Sequence, residues 1–273
     1  KIRSEICSFV FRQKKIMPTL STFTWIWISI ALLTFFYLLF FKTAPYGRHS
    51  SSNWGPMVSN KIGWILMEMP ALVLFLYFFL KGNAYISQGV IVFVVAWVVH
   101  YFNRAFIYPF RINTSGKKMP VIIVLSAILF NSVNTYLIAS YLAKNPAIYS
   151  LDWFVSWQFI LGFSLFVIGF GINQYSDYLL INLRAPGETN YKIPNGFLFK
   201  YLSCPNLFGE LVEWFGFAIM TWCLPSLSFF IWTFANLVPR AISHHKWYLE
   251  NFPNYPKERK AIFRQNNKKR IRF

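Results

Sequence analysis

Long apolar runs alternate with short polar segments along most of this 273-residue chain. A membrane-spanning helix needs about 20 apolar residues. Five runs approach or exceed this length, and a sixth is long enough for two helices. The pattern therefore predicts seven spans, at residues 20–41, 62–80, 87–110, 120–143, 151–183 and, divided at Leu224-Pro225-Ser226, 206–239. The fold class predicted is an all-α integral membrane protein with seven transmembrane helices.

The fifth predicted span, 151–183, is longer than the others. At the α-helical rise it would be about 50 Å long, whereas the hydrocarbon core of a bilayer is about 30 Å thick. We therefore expect its polar C-terminal end to project out of the membrane.

Composition supports the same fold class. Hydrophobic residues make up 56% of the chain and charged residues only 13%, whereas soluble domains carry about 25% charged residues. Seven spans with short loops use the whole length, so we expect a single transmembrane domain over residues 1–273. The formal net charge of +18 does not lie on an amphipathic globular face, which argues against nucleic-acid binding. It fits cationic membrane-protein loops and attraction to anionic lipids or an anionic cofactor.

The distribution of Lys and Arg predicts the orientation of the spans. With seven spans, 19 of the 27 Lys and Arg residues lie on the side of the C-terminus, seven lie on the other side, and Arg104 lies within the third span. The side richer in Lys and Arg generally faces the cytoplasm. We therefore expect an outside N-terminus and a cytoplasmic C-terminus, although the basic N-terminal residues alone favour the opposite. The expected location is the inner membrane of a bacterium or the endoplasmic reticulum of a eukaryote.

Two of the predicted spans carry polar residues at membrane depth. Glu68 lies in the middle of the second span, where an ionised carboxylate is costly unless it is paired. Tyr101, Arg104 and Tyr108 of the third span recur at i, i+3 and i+7, so they share one helical face. An Arg there needs an anionic partner such as Glu68 or a phosphate. An intramembrane carboxyl indicates function by default, and the structural alternative is a hydrogen bond between helices.

Polar side chains are densest between residues 171 and 210. Asn173, Asp177 and Arg184 are spaced four and seven apart and share one helical face at the end of the fifth span. Asn206 and Glu210 form an i, i+4 pair that either caps the next helix or belongs to the same site. This stretch is typical of a site for a polar ligand, and the predicted orientation places it on the cytoplasmic side.

A second polar face follows the last span. Arg240, His244 and Tyr248 are four residues apart and therefore lie on one face of a helix. Basic residues in this position also extend from a helix end simply to reach water. A binding role and an interfacial role both stay open for these three residues.

Residue counts and spacing argue against several kinds of chemistry. Membrane di-iron enzymes need many His ligands, whereas this chain has four His, so no metal site is expected. Gly169-Phe170-Gly171 lies within an apolar run and lacks the third glycine of a dinucleotide fingerprint, so no Rossmann fold is expected. Cys7, Cys204 and Cys223 are far apart and odd in number, which predicts unpaired thiols.

Several blocks of the sequence carry dense polar and small residues in a fixed order. They are Glu68-Met69-Pro70, His100-Tyr101-Phe102-Asn103-Arg104-Ala105-Phe106-Ile107-Tyr108, Gly171-Ile172-Asn173 with Ser176-Asp177-Tyr178, Leu183-Arg184-Ala185-Pro186-Gly187-Glu188, Tyr191-Lys192-Ile193-Pro194, Asn206-Leu207-Phe208-Gly209-Glu210 with Glu213-Trp214, and His244-His245-Lys246-Trp247-Tyr248. Together they resemble the membrane steroid 5α-reductase family (3-oxo-5α-steroid 4-dehydrogenases), and within it a bacterial-type homologue. The resemblance extends from about Pro45 to the C-terminus.

The resemblance implies seven transmembrane helices, an NADPH cofactor held at the cytoplasmic side and a steroid-like enone within the bilayer. Glu68 and Tyr101 match the pair that binds the substrate carbonyl, and Trp64 is expected beside the substrate. The NADPH contacts that it implies are Arg104, Asn173, Asp177, Arg184, Tyr191, Lys192, Asn206, Glu210, Arg240, His244 and Tyr248.

The same resemblance divides the single domain by role. The expected parts are a basic N-terminal segment (1–19), substrate-side spans 1–3 (20–110), spans 4–7 (120–248) with a cofactor-binding loop (184–205), and a basic cytoplasmic tail (249–273). Two features depart from the family pattern. Met67 precedes Glu68 where a Gln is common, which leaves the natural steroid open. The basic turn at 111–118 is longer than usual, so its phosphate-binding residue is either Lys117 or Lys118.

The function expected is NADPH-dependent reduction of the Δ4 double bond of a 3-oxo-Δ4 steroid to the 5α-dihydro steroid. Reduction of another lipid, a polyprenol or an enoyl thioester, is the alternative within the same class. A membrane methyltransferase that uses S-adenosylmethionine is a further alternative, although that cofactor has no phosphate to match the basic loop. No inverted repeat is visible, which argues against a transporter. The expected partners are the bilayer and the steroid, with no nucleic acid and no obligate protein partner.

Overall fold

The computed structural model describes residues 18–41, 54–82, 87–112, 116–185, 188 and 190–262. Within these ranges the chain forms seven long helices: α1 (Pro18–Phe40), α2 (Asn60–Gly82), α3 (Gln88–Arg111), α4 (Val121–Lys144), α5 (Trp157–Ile181), α6 (Pro205–Thr221) and α7 (Leu224–Asn251). By length and composition, α1 to α5 are each able to cross a membrane. The protein is therefore a predominantly helical, multi-pass membrane protein. Cys7, the basic N-terminal segment up to residue 17 and the tail beyond residue 262 lie outside the described residues.

The predicted start of the fifth span is wrong. Residues Leu151–Val155 form a short 3-10 turn, and α5 begins only at Trp157, after Ser156. The Ser156 hydroxyl accepts a hydrogen bond from the Phe159 backbone N–H at 3.2 Å, which caps the helix and sets its first turn. The 25 residues of α5 span about 38 Å, so the projecting helix of about 50 Å is not formed.

The break between the last two helices lies where the sequence predicts it. α6 ends at Thr221, Trp222 adopts a left-handed conformation with φ of 47°, and α7 starts at Leu224 with Pro225 in its first turn. α7 continues beyond the predicted end of the last span at Pro239 and ends at Asn251. Tyr248 is buried, so the part of α7 after Arg240 is packed against the rest of the protein.

The segment after α7 folds back onto the loop that precedes α6. The Ser203 backbone N–H donates to the Lys260 carbonyl at 2.8 Å, and the Lys260 N–H donates to the Tyr201 carbonyl at 3.0 Å. Arg259 is buried and donates to the Pro194 carbonyl at 2.9 Å and to the Asn195 side chain at 2.9 Å. These contacts close the loop between α5 and α6 at one end of the bundle.

A short strand pair joins two further loops at the same end. β1 (Met57–Ser59) and β2 (Lys118–Pro120) are antiparallel, with Met57 opposite Pro120. They directly precede α2 and α4, so they tie the N-terminal ends of these helices together. The hydropathy pattern gives no sign of them, because three-residue strands are too short to show alternation.

Among the glycines described, those at the α5–α6 interface have the backbone of a neighbouring helix closest to them. A Cβ atom added at Gly162 or Gly169 would overlap the α6 backbone, and one added at Gly209 or Gly216 would overlap α5. Small residues at these positions let two helix backbones approach closely, as in membrane helix pairs that lack a hydrophobic driving force for association. The contact fixes the relative height of α5 and α6.

We expect Gly169→Ala to destabilise the protein, because its methyl group would meet the backbone of Glu213. Overpacking of this kind costs about 1–3 kcal/mol. Thermal unfolding of the detergent-solubilised protein measures the effect as a lower Tm.

Gly171 is the matched control, since it lies two residues further along α5 and a Cβ added there meets nothing within 4 Å. Gly171→Ala should leave the Tm unchanged or raise it, because Ala favours a helix by up to about 1 kcal/mol over Gly. Equal Tm values for both variants would contradict the close α5–α6 contact.

Candidate active site

Two cavities that share lining residues extend into the bundle from the end where the loops preceding α2, α4 and α6 meet. The inner cavity has a volume of about 520 Å³, within the ~300–1,000 Å³ typical of ligand pockets, and the outer one about 280 Å³. They share six lining residues: Trp64, Tyr108, Asp177, Asn206, Leu207 and Arg240. All fourteen site residues expected from the sequence line one cavity or both.

The expected residues divide between the two cavities as follows. The inner cavity is lined by Trp64, Glu68, Tyr101, Arg104, Asn173, Asp177, Asn206, Glu210 and Arg240. The outer cavity is lined by Trp64, Asp177, Arg184, Tyr191, Lys192, Asn206, Arg240, His244 and Tyr248. The structure therefore brings together residues from five helices and one loop that are up to 184 positions apart in the chain.

α3 presents its polar residues to the inner cavity through an irregular turn. Residues Asn103–Ile107 form a π-helical turn within the otherwise α-helical segment. Such turns insert one residue per helical turn and often occur at functional sites. Tyr101 precedes the turn, Arg104 lies in it and Tyr108 follows it, and all three line the cavity. The sequence predicted their shared face but gave no sign of the π-helical turn.

Arg104 lies between two aromatic rings. Its guanidinium carbon is 4.7 Å from the centre of the Trp64 ring and 4.7 Å from that of Tyr108, a cation–π arrangement. Its Nη1 atom is 3.6 Å from Oδ2 of Asp177, and both side chains are nearly buried. The sequence predicted Glu68 or a phosphate as the anionic partner, whereas the carboxylate within ion-pair distance in the described structure is Asp177.

A chain of hydrogen bonds joins α5 to the start of α6. Asn173 donates to the Asn206 carbonyl at 3.0 Å, and the Asn206 side chain donates to Asp177 Oδ1 at 3.0 Å. The alternative interpretation of Asn206 and Glu210 as helix caps is not supported, because no side chain caps α6 within the described part of the chain. Both residues line the inner cavity instead.

A buried pair beside Tyr101 was not among the expected site residues. His100 Nδ1 lies 2.7 Å from Glu213 Oε1, and both side chains are almost completely buried. The His100 ring packs against Tyr101 and Trp214, with ring centres 5.0 Å and 4.6 Å apart. Two features of the sequence could have indicated this pair. His100 is next to Tyr101, and Glu213 is a second acid one helical turn after Glu210, each within an apolar run.

The outer cavity carries an excess of positive charge. Among its described lining residues, four are cationic (Lys117, Arg184, Lys192 and Arg240) and one is acidic (Asp177). Lys117 lines this cavity, and its Nζ atom is 3.4 Å from the Tyr191 hydroxyl. Lys118 belongs to β2 and is not one of the lining residues. The geometry therefore favours Lys117 of the two candidates left open by the sequence.

The rim of the outer cavity is held by residues that the sequence did not single out. The Ser203 hydroxyl lies 2.6 Å from His245 Nδ1 and 2.7 Å from the Tyr255 hydroxyl. Arg259 stacks on Tyr255 at 5.2 Å. Tyr255 and Arg259 come from the segment after α7, whose contact with the α5–α6 loop joins positions far apart in the chain and leaves no local pattern.

The chain was compared with known proteins. A family model described as 3-oxo-5-alpha-steroid 4-dehydrogenase matches residues 117–264. The chain is 40% identical over 228 residues to the steroid 5-alpha-reductase DET2 of Gossypium hirsutum, with 82% of this chain and 88% of that protein covered. It is 41% identical over 219 residues to 3-oxo-5-alpha-steroid 4-dehydrogenase 1 of Homo sapiens, with 80% and 84% covered. The chain belongs to the 3-oxo-5-alpha-steroid 4-dehydrogenase family.

Membership of the 3-oxo-5-alpha-steroid 4-dehydrogenase family confirms the resemblance seen in the sequence. It also confirms the oxidoreductase class, with a CH–CH bond as the bond acted on. The methyltransferase and transporter hypotheses belong to other classes and are set aside. The relatives named here come from a plant and a mammal, and the bacterial type of this chain stays a prediction.

The loop between α5 and α6, outside the predicted spans, contains a carboxyl whose hydrogen bonds should depend on pH. Glu188 accepts hydrogen bonds from Lys192 Nζ at 2.7 Å and from the Ala185 backbone N–H at 3.1 Å. The Lys192 hydrogen bond, followed by the Ala185 N–H, lowers the pKa of Glu188 below its ordinary 4.5. A carboxyl with a lowered folded-state pKa stabilises the folded loop above its unfolded pKa and loses this contribution as the pH falls through the folded value.

We therefore expect the Ala185 amide to be protected from hydrogen exchange at neutral pH and to lose protection only below about pH 4.5. Exchange rates corrected for their intrinsic pH dependence measure this directly. In Glu188→Gln the protection should no longer change with pH over this range. A change centred near pH 6 to 7 would point to a different group and contradict the assignment.

Proposed function

We propose that the protein reduces the Δ4 double bond of a 3-oxo-Δ4 steroid to the 5α-dihydro steroid, with NADPH as the reductant. One observation carries the proposal. An apolar cavity containing Glu68 and Tyr101 opens into a second cavity lined by cationic side chains. A lipid ketone fits the first environment and a phosphorylated cofactor fits the second. The names of the two relatives described above, a steroid 5-alpha-reductase and a 3-oxo-5-alpha-steroid 4-dehydrogenase, support the same substrate class.

We further propose that all seven helices cross the membrane, with the N-terminus outside and the C-terminus in the cytoplasm. The 17 residues of α6 measure about 26 Å, close to the hydrocarbon thickness of about 30 Å. With seven spans, the loops before α2, α4 and α6 and the segment after α7 must lie on the same side of the membrane. In the structure all four lie at the same end of the bundle, next to the outer cavity. A cytoplasmic cavity end agrees with the Lys and Arg distribution and with a soluble cofactor. The plant and mammalian relatives favour the endoplasmic reticulum.

The residues of the outer cavity fit the chemistry of NADPH. Lys117, Arg184 and Arg240 supply cationic groups for its phosphates. Asn173 and Asn206 offer amide groups at the junction with the inner cavity, beside Asp177. Tyr191, Lys192, His244 and Tyr248 complete the lining. When bound, NADPH supplies the hydride.

The inner cavity provides what an enone needs in order to accept that hydride. Reduction adds a hydride to the β-carbon, which places negative charge on the ketone oxygen, and a proton from solvent then adds to the α-carbon. Tyr101 and a protonated Glu68 are donors that stabilise this charge, and each such donor lowers the barrier by about 3 kcal/mol. Trp64 and Tyr108 hold Arg104 beside Asp177, close to both cavities. Binding the two reactants side by side in the two adjoining cavities keeps them oriented for the hydride transfer.

The alternatives are weighed by the same two cavities. A polyprenol has no ketone, so Glu68 and Tyr101 would have no carbonyl oxygen to bind and polarise. An enoyl thioester has a carbonyl, but its long polar carrier would have to occupy the cationic outer cavity together with the cofactor. S-Adenosylmethionine carries a positive charge and no phosphate, which the four cations of the outer cavity disfavour.

We expect the detergent-purified protein to consume NADPH only when a 3-oxo-Δ4 steroid such as progesterone or testosterone is present. The product should be two mass units heavier than the substrate, as mass spectrometry will measure. In Glu68→Gln and Tyr101→Phe, kcat should fall by about 10²–10³-fold, because each change removes or weakens a donor to the ketone oxygen.

Tyr136→Phe is the control, since Tyr136 is an exposed residue of α4 that lines neither cavity. It should retain normal activity, and all three variants should still bind NADPH. Normal turnover in both Glu68→Gln and Tyr101→Phe would refute the proposed roles of these residues. Turnover with a polyprenol or an enoyl thioester but with no steroid would assign the other lipid substrate.

The two candidate lysines allow a sharper test of the cofactor site. Lys117→Gln should raise the KM for NADPH by about 10- to 150-fold, because a hydrogen bond to a charged group contributes about 1.5–3 kcal/mol. Lys118→Gln, which changes the charge by the same amount one residue away, should leave this KM within about twofold. Steady-state kinetics with saturating steroid measure both, and a larger effect at Lys118 would reverse the assignment.

A further inference from the structure

The Asn131 side chain of α4 binds outside its own helix, as does that of Asn134, which accepts a hydrogen bond from the Trp27 indole N–H of α1 at 3.2 Å. The hydroxyls of Ser132 and Thr135 donate to carbonyls of their own helix, four residues earlier, at 2.7 Å each. Such bonds satisfy the hydroxyl within its own helix and do not join one helix to another. The Asn131 amide reaches a different helix. It donates to the Met67 backbone carbonyl of α2 at 2.6 Å, and the residue is only 5% exposed.

The same amide lies beside the proposed substrate carboxyl. Glu68 directly follows Met67, whose carbonyl accepts the Asn131 hydrogen bond. Asn131, Glu68 and Tyr101 all line the inner cavity. An amide nitrogen carries two hydrogens, so one can stay on the Met67 carbonyl while the other is available to the neighbouring Glu68 carboxyl.

Anchoring at the Met67 carbonyl fixes the plane of the amide. The backbone oxygen is part of α2 and has no rotational freedom of its own. Met67 of α2 and Val124 of α4 belong to one buried cluster, together with Met119 of β2. A buried amide held in this way is a rigid support for a neighbouring carboxyl. Without it, the Glu68 side chain has several rotamers available within a cavity of about 520 Å³.

We propose that Asn131 is a positioning residue that holds the Glu68 carboxyl in the orientation needed to bind the substrate ketone. This inference rests on the proposed function, in which Glu68 contacts the ketone oxygen. Asn131 itself acts through Glu68 and forms no bond to the reacting atoms. By orienting Glu68, Asn131 determines where in the inner cavity the ketone oxygen is bound. Asn131 therefore helps to determine the orientation of the substrate.

The test replaces the amide with an apolar side chain of similar size, Asn131→Leu. We expect kcat to fall by about 10- to 100-fold, the loss that follows when a reacting group is displaced by about 1 Å. The KM for NADPH should stay within about twofold, because Asn131 does not line the outer cavity. Ser132→Ala, one residue along α4, is the control and should leave both constants unchanged.

A double-mutant cycle separates positioning from general support of the fold. If Asn131 acts through Glu68, adding Asn131→Leu to Glu68→Gln should cause little further loss of kcat. Residues that act as a unit are non-additive in this way. Full additivity of the two losses would overturn the proposal, as would a normal kcat in Asn131→Leu. If Asn131→Leu does not fold, Asn131→Ser, which is smaller but polar, takes its place in the cycle.

An infrared measurement makes the inference independent of turnover. The Glu68 carboxyl band is identified as the band lost in Glu68→Gln, and we expect it to shift in Asn131→Leu but not in Ser132→Ala. An unshifted band would overturn the inference. A shifted band in a protein that shows no steroid turnover would leave the Asn131–Glu68 contact in place and refute the proposed function alone.

Discussion

The close approach of α5 and α6 is the constraint on which the site depends. A Cβ atom at Gly209 would lie 2.5 Å from the Asn173 backbone nitrogen, so the contact that packs these helices also sets Asn173 against Asn206. The hydrogen bonds from Asn173 to the Asn206 carbonyl and from Asn206 to Asp177 follow from this placement. In a membrane, where apolar side chains gain nothing by leaving lipid for a helix interface, such small-residue contacts provide much of the association.

Charge is handled differently in the two cavities. The inner one contains the acids Glu68, Asp177 and Glu210, with Arg104 held between two aromatic rings and beside Asp177. Fixed dipoles and charges buried in a protein act more strongly than they would in water. The outer cavity is lined by four cationic residues and one acidic residue among those described. The boundary between them is therefore a change in electrostatic character, which suits an anionic ligand on one side and an apolar one on the other.

Much of the site was predictable because membrane helices give strong signals. A polar residue within an apolar run is costly, so Glu68, Tyr101, Arg104 and Asp177 stand out, and all of them line the inner cavity. Helix ends were less predictable. The start of α5 depends on the Ser156 cap, and α7 passes through Pro239 because later residues are packed rather than solvated.

Contacts between distant segments could not be predicted from spacing. The His100–Glu213 pair joins residues 113 positions apart, and the contacts of Arg259 join positions about 65 apart. The late position of several of these residues in the chain has a consequence for biosynthesis. Arg240, His244, Tyr248 and Arg259 are among the last described residues to leave the ribosome, so the outer cavity can be completed only after the preceding helices have been synthesised. A ligand that needs the side chains of α7 for binding can therefore bind only after the last helix has been synthesised.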